Sequence, residues 1–169
     1  MTRLYAYRGF TIVEIAVVLL VIGILMAIGS VSYSNVQTTA RNAEASEELS
    51  QFGRTLVKYK ANHGAYPSST NELTGDYRVS FTPGLFSTDI NLNLIYCSKS
   101  PYDDYVLTAV TKKGKRLYIK NTGSPEEYKG MTSWTGTAAA TICSSILSGT
   151  SNAGPEGWNG TWRPWVNGS

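Results

Sequence analysis

Glu14 is a carboxylate in apolar surroundings. It follows Arg8-Gly9-Phe10-Thr11-Ile12-Val13, and an almost unbroken apolar run continues beyond it to Ile28. Between Arg8 and Arg41 it is the only charged side chain. An ionised group at the centre of a membrane helix costs ~2.5–3.5 kcal/mol on insertion scales, and less near a helix end. A chain that needed only an anchor would have no use for it. Glu14 therefore marks a functional site, and the segment as translated offers no partner in reach. Cys97 and Cys143 are the only cysteines. An even count behind an export-like N-terminus favours one disulfide over two separate buried thiols. It would close a loop of about 45 residues and contribute roughly 3–4 kcal/mol in the chain-entropy model. The single histidine, His63, is distant in sequence and there is no C-x-x-C motif, which disfavours a zinc or thiol-redox site.

These groups need elements to hold them. Phe10–Ile28 spans 19 residues, ~28 Å as a helix, close to the thickness of a bilayer core. Arg3 and Arg8 precede it and no acidic residue does. The distribution places the short N-terminus in the cytoplasm and the remainder outside. A cleavable secretory signal shares the basic start, and Ala27-Ile28-Gly29 resembles its cleavage site. The apolar run is too long for that reading, however, and Glu14 interrupts it. A plain single-pass anchor accounts for the length but not for Glu14. The chain has 169 residues, enough for an anchor and one modest domain. Its net charge of +3 is too weak a bias to argue for nucleic acid by itself.

Gly9-Phe10-Thr11-Ile12-Val13-Glu14 after a short basic leader resembles the processing site of a type IV prepilin of the class IVa type. That family includes pilins of type IV pili, pseudopilins of type II secretion and competence pilins. The resemblance implies cleavage between Gly9 and Phe10 by a dedicated membrane peptidase, followed by N-methylation of Phe10. It also implies that Glu14 pairs with the N-terminal amine of a neighbouring subunit in a filament. A buried carboxylate is tolerable when paired and costly when not. Such a pair sets register more than it adds stability, because slipped arrangements leave the charge unpaired. Many type IV pilins carry a helix-breaking Pro about 22 residues into the mature chain; Val31 stands there in this one. Gly23 and Gly29 are the remaining weak points, each costing ~1 kcal/mol relative to Ala.

Beyond Ile28 the pattern predicts that the helix continues. Tyr33, Val36, Ala40 and Ala43, then Ala45, Leu49, Phe52, Leu56 and Tyr59, recur at spacings of three and four. Gly64 and Pro67 end the helix near Asn62, and a Gly-x-Tyr-Pro ending at this distance is common in pilins. His63 reads as a cap or surface residue. Residues 64–95 read as an irregular connection. Leu94–Cys97 starts a sheet, and Tyr105–Val110 and Leu117–Ile119 form a hairpin around Lys112-Lys113-Gly114-Lys115. One face of this sheet is expected to bury the Ala45–Tyr59 stripe. Ala138–Ile146 is a short helical or extended segment that Cys143 pins to the sheet through Cys97. The fold class is α+β, the type IV pilin fold. Its parts are a leader at 1–9, a hydrophobic helix at 10–32, an amphipathic continuation at 33–62 and a head at 63–169.

The remaining features favour ordinary roles. Lys112, Lys113, Lys115 and Arg116 read as a solvated turn rather than a DNA phosphate site. Trp134, Trp158, Trp162 and Trp165 read as packing under a loop-rich tail rather than a sugar-stacking tip. Asp103-Asp104 is a weak calcium candidate, because Glu156 is the only acidic residue near the C-terminus. Asn159-Gly160-Thr161 and Asn167-Gly168-Ser169 match a glycosylation sequon, a short and common pattern. There is no Gly-rich phosphate loop, catalytic triad or recognisable carboxylate pair. The expectation is a structural subunit, not an enzyme, with no cofactor and no metal. It inserts in the cytoplasmic membrane among lipid and is processed by the prepilin peptidase. An inner-membrane platform then assembles it into a homo-oligomeric extracellular pilus for adhesion, twitching motility or DNA uptake. A surface or DNA ligand of the filament is a further possible partner. The alternatives are a type II secretion pseudopilin and a membrane-anchored binding protein.

Overall fold

The computed structural model describes residues 9–121, 123–130, 134, 138–150, 152–155 and 166–167. The chain divides into a unit ending at Thr39 and a larger one beginning at Ala40. Helix α1, Ile12–His63, contributes to each. Its assigned backbone is continuous through Gly23, Gly29 and Val31. The helix ends as the sequence predicts. Gly64 adopts φ +84° and donates its N–H to the Lys60 carbonyl at 2.8 Å. This is the left-handed closing bond that glycine makes without a Cβ penalty. His63 occupies the last helical position with Nδ1 3.0 Å from the Tyr59 carbonyl oxygen, and its ring stacks on Tyr59 at 4.1 Å.

In the larger unit, Ala45, Leu49, Phe52, Leu56 and Tyr59 are all buried, so this stripe is the packed face of the helix. Ala40 and Ala43, and Tyr33 and Val36 before them, are exposed. The apolar periodicity is thus used for intramolecular packing only from Ala45 onward. The strands are β1 Val79–Ser80, β2 Ile95–Lys99, β3 Asp104–Val110, β4 Arg116–Lys120, β5 Glu126–Glu127, β6 Asn152–Pro155 and β7 Val166–Asn167. Five of them form an antiparallel sheet in the order β5-β4-β3-β2-β6. β1 pairs separately, and in parallel, with β7. The hairpin turn lies at Thr111–Lys115, with Gly114 at φ +85°.

The sheet has a core on each face. Leu94, Tyr96, Tyr105, Leu107, Ala109, Leu117 and Ile119 share one core with the α1 stripe. Ile95, Cys97, Val106 and Val110 share the other with Trp134, Ile142, Cys143 and Leu147. The sequence leads one to expect a single buried face; the second is covered by α3, Ala139–Ile146, and the residues around it. Strand β3 is therefore buried along nearly its whole length. That is why its sequence is a continuous apolar run rather than an alternating one. Cys97 and Cys143 form a disulfide, with Cα atoms 6.0 Å apart, inside this second core.

The connection at 64–95 is more ordered than its composition suggests. It holds three 3-10 turns, Thr70–Glu72, Gly75–Tyr77 and Pro83–Leu85, and the short helix α2, Ile90–Asn93. Two carboxylates bind this segment. Glu48 on α1 accepts from the Thr82 N–H at 2.9 Å and from its hydroxyl at 2.6 Å. Glu72 accepts from the Tyr59 hydroxyl at 2.6 Å and from the Ser68 N–H at 3.0 Å.

Candidate functional site

The first turn of α1 is organised by two side chains three residues apart. Thr11 precedes the helix, and its carbonyl oxygen accepts from the Ile15 N–H at 3.3 Å. The Thr11 hydroxyl oxygen lies 3.2 Å from the Glu14 N–H that it accepts, and Glu14 Oε2 accepts from the Thr11 N–H at 3.0 Å. The same oxygen is 3.0 Å from Thr11 Oγ1 and accepts the hydroxyl proton. This reciprocal arrangement is a capping box, which satisfies two of the N–H groups left open at a helix start. A carboxylate in the first turn is also favoured by the helix dipole.

The sequence reading left Glu14 without a partner in its own segment, and the structure corrects it. Thr11 engages the carboxylate, although among the described residues Glu14 makes no ion pair. The signal was legible, because Thr11-x-x-Glu14 is the S/T-x-x-E pattern of the box. It was masked by attention to the charge. Arg3 and Arg8, the nearest cations in sequence, lie outside the described residues.

Around this turn the surface is apolar and bare. Phe10 is 82% exposed, and the large hydrophobic side chains from Ile12 to Ile28 are each at least 41% exposed. Their mean hydropathy reaches 2.9 over 18 residues, and α1 is long and apolar enough to cross a membrane. An apolar surface of this extent marks a region that meets lipid or other protein. Gly9 precedes Phe10 outside the helix, and a Cβ added there would meet nothing within 4 Å. Neither crowding nor a left-handed backbone calls for glycine at this position.

Residues 5–30 match the family model described as the prokaryotic N-terminal methylation motif. The chain carries the leader signature of a type IV prepilin. No solved structure matches the chain. Beyond the matched segment, the long helix, the small antiparallel sheet and the Cys97–Cys143 disulfide form an α+β arrangement consistent with the pilin fold.

The other features singled out in the sequence fall as follows. Lys112 and Lys113 are exposed in the β3–β4 turn, and Lys115 Nζ is 3.3 Å from Glu127 Oε2. Asp103 and Asp104 are engaged separately, Asp103 with Lys60 Nζ at 3.1 Å and Asp104 with Asn121 Nδ2 at 2.7 Å. Among the described residues no group of three or more His, Cys, Asp or Glu side chains is placed to hold a metal ion. Trp134 is buried against Tyr128, with ring centroids 5.1 Å apart. Trp158, Trp162, Trp165, Glu156, Asn159-Gly160-Thr161 and Gly168-Ser169 lie outside the described residues. A titrating pair that sequence reasoning missed is Tyr59–Glu72. Burial, then the bond to Glu72, pushes the Tyr59 hydroxyl up to about 12. Burial pushes the Glu72 carboxyl up, but hydrogen bonds from Ser68 and Tyr59 outweigh it and hold the group below its ordinary value.

Proposed function

We propose that the chain is a structural subunit of a type IV pilus, not a catalyst. In this reading residues 1–9 are a leader, 10–32 a membrane and filament-core helix, 33–62 its amphipathic continuation and 63–169 the head. Cleavage between Gly9 and Phe10 frees an amine on Phe10, which is then N-methylated. Glu14 pairs with that amine on a neighbouring copy during assembly. Before assembly the helix spans the cytoplasmic membrane with the head outside; afterwards the subunit is part of an extracellular filament. The observation that carries the reading is the methylation motif at residues 5–30, set directly ahead of an exposed apolar helix. The open space around Gly9 supports it, because a demand for glycine that the fold does not impose fits recognition by a peptidase.

The test is mass spectrometry of surface-sheared protein. A chain beginning at methylated Phe10 supports the proposal; a chain beginning at Ser30 or Met1 overturns it. Filaments that appear only together with a type II secretion system would reassign the subunit to a pseudopilus.

A further inference from the structure

A groove of about 370 Å³ opens on the larger unit between one flank of α1 and the β4–β5 turn. Ser50, Gly53, Arg54 and Val57 line it from the helix, and Asn121, Gly123 and Ser124 from the turn. Its volume is in the range of small-ligand sites. No acidic side chain is among the residues that line it. Gly53 explains why the space exists. A Cβ there would lie 3.1 Å from the Tyr105 hydroxyl and 3.3 Å from Ile119 Cδ1, so a side chain at this position would have to push those neighbours back by a few tenths of an ångström. The bare backbone leaves the groove floor open.

The polar groups nearby have capacity to spare, and it is donor capacity. The Tyr105 hydroxyl is buried beneath Gly53 and has no hydrogen-bond partner among the described residues, an unfavourable condition for a buried hydroxyl. The Ser124 hydroxyl makes no hydrogen bond among the described residues. Ser50 Oγ accepts from Arg54 Nη1 at 2.9 Å, which leaves its own proton to donate. Arg54 carries five N–H donors and gives one more to Glu47 at 2.6 Å, a pair that is 62% and 60% exposed. An exposed pair of this kind is weakly held and rearranges easily. Asn121, by contrast, is consumed: its oxygen accepts from the Tyr105 N–H at 3.0 Å and its amide binds Asp104.

We propose that this groove binds a carboxylate, gripped by the Arg54 guanidinium and by the hydroxyls of Ser50 and Ser124. The planar guanidinium suits two-point recognition of that group. The carboxylate is that of a free small molecule or of an acidic side chain on another copy of the chain. The site does not depend on the pilus assignment, and its first test involves no filaments.

The full chain, purified in detergent, is titrated with sodium acetate while the backbone amides of Gly53, Gly123 and Ser124 are followed by NMR. Sodium chloride at matched ionic strength is the control. Saturable shifts in acetate alone are expected, with an affinity about ten-fold weaker or worse in Arg54→Gln. Unshifted amides elsewhere in that variant show that it is folded. Absence of saturation, an equal response to chloride, or wild-type affinity in Arg54→Gln overturns the proposal. Filament yield of cells carrying Arg54→Gln separates the sources. A loss assigns the carboxylate to a neighbouring copy, and an unchanged yield assigns it to a free ligand.

Discussion

Substituting Glu14 by Gln separates the capping role seen in the first turn of α1 from the pairing role proposed for its charge. Gln keeps an amide oxygen where Glu14 Oε2 now accepts from Thr11 at 3.0 Å, and Glu and Gln serve equally as the third residue of a capping box. The helix start should therefore survive. What Gln lacks is the charge. If Glu14 neutralises a Phe10 amine in the filament core, its removal leaves a buried ammonium unpaired, a cost of about 3–5 kcal/mol. At 1.4 kcal/mol per factor of ten, that lowers the equilibrium for adding each subunit by more than about a hundred-fold. Thr11→Ala is the complementary change. It abolishes the box and retains the carboxylate, for about 1 kcal/mol. The assay compares sheared filaments with the membrane pool by immunoblot, and follows exchange of the Thr11, Glu14 and Ile15 amides in micelles. The expected result is a crossed pattern. Glu14→Gln loses filaments and keeps amide protection, while Thr11→Ala keeps filaments at reduced yield and loses protection. Wild-type filament levels in Glu14→Gln would refute the pairing argument. Loss of protection in the same variant would refute the claim that Gln can take the place of Glu14 in the box.

Reducing the Cys97–Cys143 bond, or replacing both residues by Ser, should destabilise the head by about 3–4 kcal/mol, since the closed loop spans 46 positions. Denaturant midpoints with and without reductant measure this. Phe52→Ala removes a fully buried ring from the core between helix and sheet, and thermal unfolding should register a loss of about 3–5 kcal/mol. Glu72→Gln should destabilise the head modestly at neutral pH. Glu72 is held below its ordinary value of 4.5 when folded, so its contribution is complete above pH 4.5 and fades as pH falls through the lower folded value. Unfolding curves of wild type and variant should therefore converge in acid; a gap that persists at pH 2 would show that the charge is not what stabilises the 3-10 turn.

The elements most legible in the sequence were those that obey one local rule. The stripe from Ala45 to Tyr59 follows the helical period, and Gly64 ends the helix through a backbone conformation that only a few residues adopt readily. The β3–β4 hairpin announced itself through Tyr105–Val110 and its lysine-rich turn. What escaped depends on partners far apart in the chain. The Cys97–Cys143 bond returns Ala139–Ile146 to the sheet as the two cysteines led one to expect, but no periodicity in β3 says that Ile142 and Leu147 will bury its second face. The order within 64–95 rests on clamps such as Glu48–Thr82, formed across 34 positions. At the site the miss was of another kind. Thr11-x-x-Glu14 is a local pattern, but the carboxylate had been read through its charge alone, so its role as a hydrogen-bond acceptor for its own helix was overlooked.

The two roles of Glu14 bear on how assembly could be specific at all. From Phe10 to Ile28 the helix exposes its apolar side chains, and none of the segment is buried within the chain. In a membrane those side chains already rest in hydrocarbon. Exchanging lipid for neighbouring helices then gains little, because lipid tails are as apolar as leucine. Apolar area alone cannot tell a correctly staggered neighbour from one slipped by a turn. A polar group can, since the cost of leaving it unpaired does not cancel between lipid and protein. Glu14 is the only charged side chain between Arg8 and Arg41. Thr11 reduces the cost of carrying it in the unassembled chain by supplying two hydrogen bonds, but supplies no charge. The carboxylate is thus tolerated in the lone subunit and incompletely satisfied there. On the proposed reading, that residual demand for a cation selects a processed neighbour in one register, and an uncleaved chain, whose residue 10 has no free amine, cannot meet it.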